Sequence, residues 1–220
     1  MKFIEQGYEW KIKPTQKDVQ LIEEIGRICH KSDKNITDFS FIPFVKKIIE
    51  LGHESVLEHS IASVEFITSR RVTHQLVRHR LVSFTQESQR YVDYSDGVVF
   101  IKPHRFKGSV DLLNEDGSNW QYWFNFDDDI LIYFSCLTRA EESYQNLRSH
   151  GWTKQDARDV LPNCVATKIV VTANFREWRH ILKLRTDKMA DPEIRNLMIP
   201  LLKEFKTLVP VIFDDINVEE

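Results

Sequence analysis

Glycine is scarce in this chain: there are seven in 220 residues, and the closest pair, Gly108 and Gly117, stands nine positions apart. Neither GxGxxG nor GxxxxGK can be written on it, so a nucleotide phosphate would not lie in a glycine-rich backbone cradle of either type. Cysteine is scarcer still. Cys29, Cys136 and Cys164 are too widely spaced for a CxxC zinc site or a disulfide framework, and they read as reduced thiols in a cytoplasmic protein. No apolar run approaches the roughly 18 residues of a membrane span. The opening Met-Lys-Phe-Ile-Glu-Gln-Gly has no secretory core, so a cytoplasmic location away from membranes is expected. Basic charge is not in excess: 30 Lys plus Arg face 33 Asp plus Glu, a net charge of −3 that argues against a nucleic-acid coat. Lysine is missing altogether between Ile48 and Ile101.

What is present suffices for a core. With 42% hydrophobic and 11% aromatic residues, disorder is excluded. A chain of this length folds as one domain over residues 1–220, burying roughly 70% of the surface it exposes when unfolded. Pro103, Gly108, Asn114, Asp116, Gly117 and Ser118 mark a surface excursion around 102–120. Helical spacing predicts helices over 16–29, 41–51, 70–78 and 128–150, the last capped by Asp127 and stopped by Gly151. Thr153 and Asp156 form a capping box for a short helix ended by Pro162. Asn174 caps a helix through Trp178 and Ile181, and Asp191-Pro192 opens the last, with Ile194, Leu197, Met198, Leu201 and Phe205 inward. Residues 60–68 alternate as a half-buried strand, and 164–172 is rich in Val, Ile and Thr. The expected fold class is α+β, a mixed sheet core with flanking helices.

Residues 70–90 concentrate the chemistry. They hold five of the 14 arginines, no lysine and one acid, Glu87. Arginine without lysine suits planar, bidentate recognition of phosphate or carboxylate. Gln75, Ser83, Gln86 and Ser88 add groups able to read a base or a flavin edge. A solvated basic face, or an RNA-contacting patch, would show the same composition. A second cluster, Asn174, Arg176, Arg179, His180, Lys183 and Arg185, reads by itself as a solvated amphipathic helix. His53 and His59 are six apart and share no helix face, so no metal site is expected; Ser55 and Glu58 fit a capping box instead. No cysteine or serine stands in a recognisable nucleophile context, so an organic cofactor would carry any chemistry.

Arg78-His79-Arg80, Ser83, Ser88, Arg90 and Tyr91 reproduce the pattern RHRxxSxxxxSxRY, and on these residues the chain resembles the flavin-dependent thymidylate synthases. Gly52-His53-Glu54-Ser55 with Glu58-His59 upstream, and Ala157-Arg158, Val160-Leu161-Pro162, Asn174, Arg176 and Leu184-Arg185 downstream, follow in that family's order. The resemblance implies a homotetramer whose FAD sites are assembled from several subunits. It implies methylation of dUMP to dTMP with 5,10-methylenetetrahydrofolate as carbon donor and NADPH as reductant of the flavin. It assigns Ser55, Arg78, His79, Arg80, Gln86, Asn174, Arg176 and His180 to FAD. It assigns Gln75, Leu76, Val77, Arg78, Gln86, Glu87, Ser88, Gln89, Arg90, Arg158 and Arg185 to dUMP. Arg185 would favour ionisation at N3 of the uracil and is the catalytic candidate, and His53 would lie near flavin and folate. Two departures stand out: Thr85-Gln86 replaces the usual Asn-Glu, and Thr186-Asp187-Lys188-Met189 replaces a common histidine. No cysteine follows a proline, as the cysteine-dependent class of thymidylate synthase would require. Two other readings compete, a non-catalytic RNA-binding module built on Arg70 to Arg90, and a flavoprotein oxidase or reductase without methyl transfer.

Overall fold

A computed structural model describes residues 1–111 and 127–218. In chain order the elements are β1 (Lys2–Ile4), β2 (Gly7–Ile12), α1 (Gln16–Ile28), α2 (Phe41–Glu50), β3 (Ile61–Ser69), α3 (Arg70–Leu76), β4 (Val82–Gln86) and β5 (Val99–Ile101). There follow α4 (Asp128–Ser149), α5 (Lys154–Ala157), β6 (Ala166–Asn174), α6 (Phe175–Thr186), α7 (Pro192–Leu208) and α8 (Pro210–Phe213). A four-stranded sheet has the order β2-β3-β6-β4, and β1 pairs with β5. The mixture of helices and sheet agrees with the mixed α and β class expected. Its contacts divide into two compact units, each built from three segments of chain.

The first unit comprises Met1–Gly7, Ile67–Gln75 and Gln86–Ile169. β1 and β5 run parallel with Phe3 opposite Phe100. Phe3 meets Phe134 of α4 edge-on, ring centres 5.2 Å apart. The 3.5-residue rhythm of α4 turns Phe134, Leu137, Glu141 and Tyr144 inward. The buried Glu141 carboxylate is satisfied by the Val98 N–H at 2.7 Å, as a buried acceptor must be. Thr153 accepts from the Asp156 N–H and starts α5, one half of the capping box expected; in place of the other half its hydroxyl donates to the Asp156 carboxylate.

The second unit comprises Tyr8–Phe66, Leu76–Thr85 and Val170–Glu220. Trp178, Phe205 and Phe213 are fully buried, each burial contributing about 1.5–3 kcal/mol. The Trp178 indole N–H donates to the Ala62 carbonyl at 3.0 Å, fixing α6 on β3. Asn174 accepts from the Glu177 N–H at 2.8 Å and begins α6, and Asp191 accepts from Glu193 N–H at 2.9 Å to begin α7. Gly26 lets α1 approach α2: a Cβ there would meet the Phe44 ring at 2.7 Å.

Several expectations need correction. α3 ends at Leu76 rather than 78, because the His79 N–H closes a tight turn onto the Leu76 carbonyl at 3.1 Å. Gln75 and Arg78 therefore do not share one helix. Ser63 is buried along with its apolar neighbours, its hydroxyl 2.7 Å from that of Thr172. Residues 54–59 form a 3-10 turn without the Ser55–Glu58 capping box; Glu58 turns to Arg176 instead. Asp127 sits at the start of α4 but its side chain makes no cap bond. β1, β2, β4, β5 and α8 had no counterpart in the sequence-based expectations. The later part of the expected excursion, 112–120, lies outside the described residues.

Candidate active site

In the second unit the chain leaves α3 and runs irregularly through Arg78, His79 and Arg80 before β4 begins. The Asn174 cap sets the phase of α6 so that Glu177, His180, Leu184 and Arg185 fall on one face. These two segments together line a cavity of about 340 Å³, with Leu81 at its edge. A second cavity of about 490 Å³ shares Leu81, Glu177 and His180 and adds Glu54, Glu58, Asn174, Arg176, Arg179 and Lys183.

The charges around these cavities are of two kinds. Arg176 donates to Glu58 at 2.6 Å. Arg179 is 2% exposed and gripped by both oxygens of Asp215 at 2.6 and 2.8 Å and by Glu54 at 3.3 Å. It is therefore a structural ion pair, not part of a solvated helix face. Arg78 and Arg80, by contrast, are exposed and have no acidic partner among the described residues. Guanidinium groups without an acidic partner beside a cavity attract anions.

Between them lies His79, 5% exposed. Burial first, then Arg185 and His180, push its pKa down to about 4, so it is neutral at pH 7. The Arg185 Nε–H donates to His79 Nε2 at 3.1 Å. On the other side, His79 Nδ1 faces Glu177 Oε1 at 3.5 Å. The His180 ring stands edge-on to His79, centres 5.5 Å apart. Burial lowers the pKa of the Arg185 guanidinium and raises that of the Glu177 carboxyl, the latter opposed by His180 and Arg176. Glu177 carries no motif in the sequence, and only its contact with His79, far off along the chain, brings it into the site.

Of the residues assigned to flavin by resemblance, Arg78, His79, Arg80, Asn174, Arg176 and His180 line these two cavities. Ser55 is exposed on the 3-10 turn whose Glu54 and Glu58 line the second, and His53 is exposed just before it. Of those assigned to dUMP, Arg185 lines the first cavity with Arg78, Val77 is exposed, and the Leu76 side chain is buried.

The others belong to the first unit. Gln75 is half-buried near the end of α3 and bonds back to the Arg71 carbonyl at 3.4 Å. Gln86 donates to Thr73 at 3.0 Å, and Glu87 is tied to the Lys168 backbone in both directions. The Ser88 hydroxyl accepts from the Arg90 N–H at 3.3 Å, and Gln89 interacts with Tyr94. Arg90 donates to Gln155 at 2.8 Å, and with Tyr91, Arg148 and residues 151–156 it lines an open cleft of about 680 Å³. Arg158 is half-buried in the 3-10 turn after α5.

The first cavity thus brings Arg78, Arg80 and Arg185 together with His79, Glu177 and His180. A family profile described as thymidylate synthase complementing protein matches residues 12–211. The flavin-dependent thymidylate synthase of Corynebacterium efficiens is 37% identical over 207 residues, covering 90% of this chain and 80% of that protein. That of Mycobacterium avium is 38% identical over 208 residues, covering 90% and 79%. Among solved structures, a UMP/dUMP methylase from Streptomyces cacaoi bound with 5-Br dUMP shares the fold, with a TM-score of 0.77 at 21% identity over 97% of this chain and 96% of that one. The chain belongs to the flavin-dependent thymidylate synthase family.

Proposed function

We propose that this protein methylates dUMP to dTMP, with 5,10-methylenetetrahydrofolate as carbon donor and NADPH as reductant of a bound FAD. The observation that carries the reading is the cavity that Arg78 and Arg80, without an acidic partner among the described residues, line together with Arg185, in a chain of this family. The donor set fits a flavin: the exposed guanidinium groups of Arg78 and Arg80 for its phosphates, with His79, Asn174, Arg176 and His180 adjoining. Ser55 and Gln86 complete the proposed flavin contacts, with His53 near flavin and folate. Bound FAD supplies the hydride chemistry.

The chain's own groups orient and stabilise. Arg185, held through its Nε by His79, sits beside the uracil and favours the anion at N3, since a guanidinium stays charged. Gln75, Val77, Arg78, Gln86, Glu87, Ser88, Gln89, Arg90 and Arg158 line the nucleotide, and Leu76 contributes its backbone. Gln86 spends its amide N–H on Thr73 and leaves its carbonyl oxygen as acceptor, which keeps the acceptor a glutamate would offer. The working assembly is a homotetramer with sites shared between subunits; Leu81 and Tyr91, 70% and 75% exposed, supply apolar surface for such contacts. No helix among the described residues is long and apolar enough to cross a membrane, and the proposed location is the cytoplasm. Family membership does not favour the RNA-binding reading.

The test is a visible spectrum of protein incubated with FAD and desalted, before and after dUMP. A retained flavin band that shifts with dUMP supports one pocket for both. Absence of flavin, or flavin blind to dUMP, overturns the reading. A flavin oxidase or reductase would turn over without dUMP and folate.

A further inference from the structure

The ligand atoms of His79, Glu177 and His180 lie within 4.8 Å of one another, a grouping that could hold a metal ion. The hydrogen bonding speaks against that use. The lone pair on His79 Nε2 is taken by the Arg185 Nε–H at 3.1 Å, and the guanidinium behind it repels a cation. Arginine can only donate, so His79 Nε2 must carry no hydrogen. In a neutral imidazole the hydrogen is then on Nδ1, which faces Glu177 Oε1 at 3.5 Å.

We propose that Glu177 is a positioning residue: its carboxylate holds His79 as the Nδ1–H tautomer, and His79 Nε2 in turn fixes the guanidinium of Arg185. In water the other tautomer, with hydrogen on Nε2, is the more abundant form of histidine. That tautomer would set an N–H against the Arg185 N–H, two donors facing each other, and turn the guanidinium away. Glu177 and His79 are both largely buried, where a polar pairing is stronger than in open water. The inference rests on the reading that Arg185 acts on the pyrimidine, and its test separates the two.

The FAD-loaded protein, labelled with ¹⁵N at histidine, is compared with Glu177→Leu and Glu177→Gln. His79 is identified by the signal lost in His79→Gln. In the parent, Nδ1 should resonate as protonated and Nε2 as unprotonated. Glu177→Gln keeps a carbonyl acceptor and should keep this pattern, with a smaller loss of turnover than Glu177→Leu. Glu177→Leu should move hydrogen to Nε2 and lower dUMP-dependent turnover about 10- to 100-fold, the value of one charge-assisted hydrogen bond, without loss of flavin. An unchanged Nδ1–H pattern in Glu177→Leu would overturn the proposal. If Glu177→Leu does not fold, an Nε2–H pattern in the parent or in Glu177→Gln would overturn it equally. A moved hydrogen with undiminished turnover would overturn the positioning role through its other half, the reading of Arg185.

Discussion

Replacing Arg185 by alanine removes two things at once. The uracil loses the positive charge proposed to stabilise its N3 anion, and His79 Nε2 loses the donor 3.1 Å away. Removing one such pre-placed donor typically costs about 10²–10³ in kcat, or roughly 3–4 kcal/mol of barrier. The second loss falls on folding. His79 is 5% exposed, so an acceptor left without a donor costs about 1–3 kcal/mol of stability. The assay measures dTMP formation at saturating dUMP, alongside flavin content by absorbance and a thermal melt. Turnover should collapse, FAD should stay bound, and the melt should shift downward. Arg185→Lys keeps charge but not the planar fork, and should fall between parent and alanine. Full turnover in Arg185→Ala would refute the reasoning. Loss of flavin in place of turnover would move Arg185 from the pyrimidine to the cofactor.

The buried neutral His79 should make stability depend on pH. Its pKa, about 4 when folded against an ordinary 6.5, means the unfolded chain binds the proton first; the contribution is present above 6.5 and lost as pH falls through 4. It amounts to on the order of 3 kcal/mol, and denaturant unfolding of His79→Gln should show a shallower loss between these limits than the parent. Arg179→Ala should destabilise by about 2–3 kcal/mol, below the value for a fully buried pair because Asp215 is half exposed; an unchanged urea midpoint would contradict this. Ser88→Ala should keep activity within about tenfold, since a neutral hydrogen bond is worth 0.5–1.5 kcal/mol. Trapping a covalent Ser88–nucleotide adduct by mass spectrometry would contradict the positioning role given to Ser88.

What could be read from the chain was what is local. Caps such as Asn174 and Asp191 act within three residues, and the inward stripes of α4 and α7 follow from helical spacing, so these elements fall where the residues say. The segment from Arg78 to Tyr91 was legible for a different reason: its pattern is linear and resembles a family. Pairing over distance was not legible. β1 and β5 are three residues each, too short for a period, and join positions some hundred apart in sequence. No glycine or proline lies between Gly52 and Gly97, so nothing local marked the end of α3 at Leu76. Arg179 read as solvated because its partner Asp215 is 36 residues away. Glu177 went unread because its meeting with His79 requires the segment before β4 and the start of α6 to lie side by side.

The most direct measurement incubates the FAD-loaded protein with dUMP, 5,10-methylenetetrahydrofolate and NADPH and follows the nucleotide by chromatography. dTMP should accumulate, and omission of any one of the three should abolish it. A folded, flavin-bearing protein that leaves dUMP unchanged would contradict the assignment.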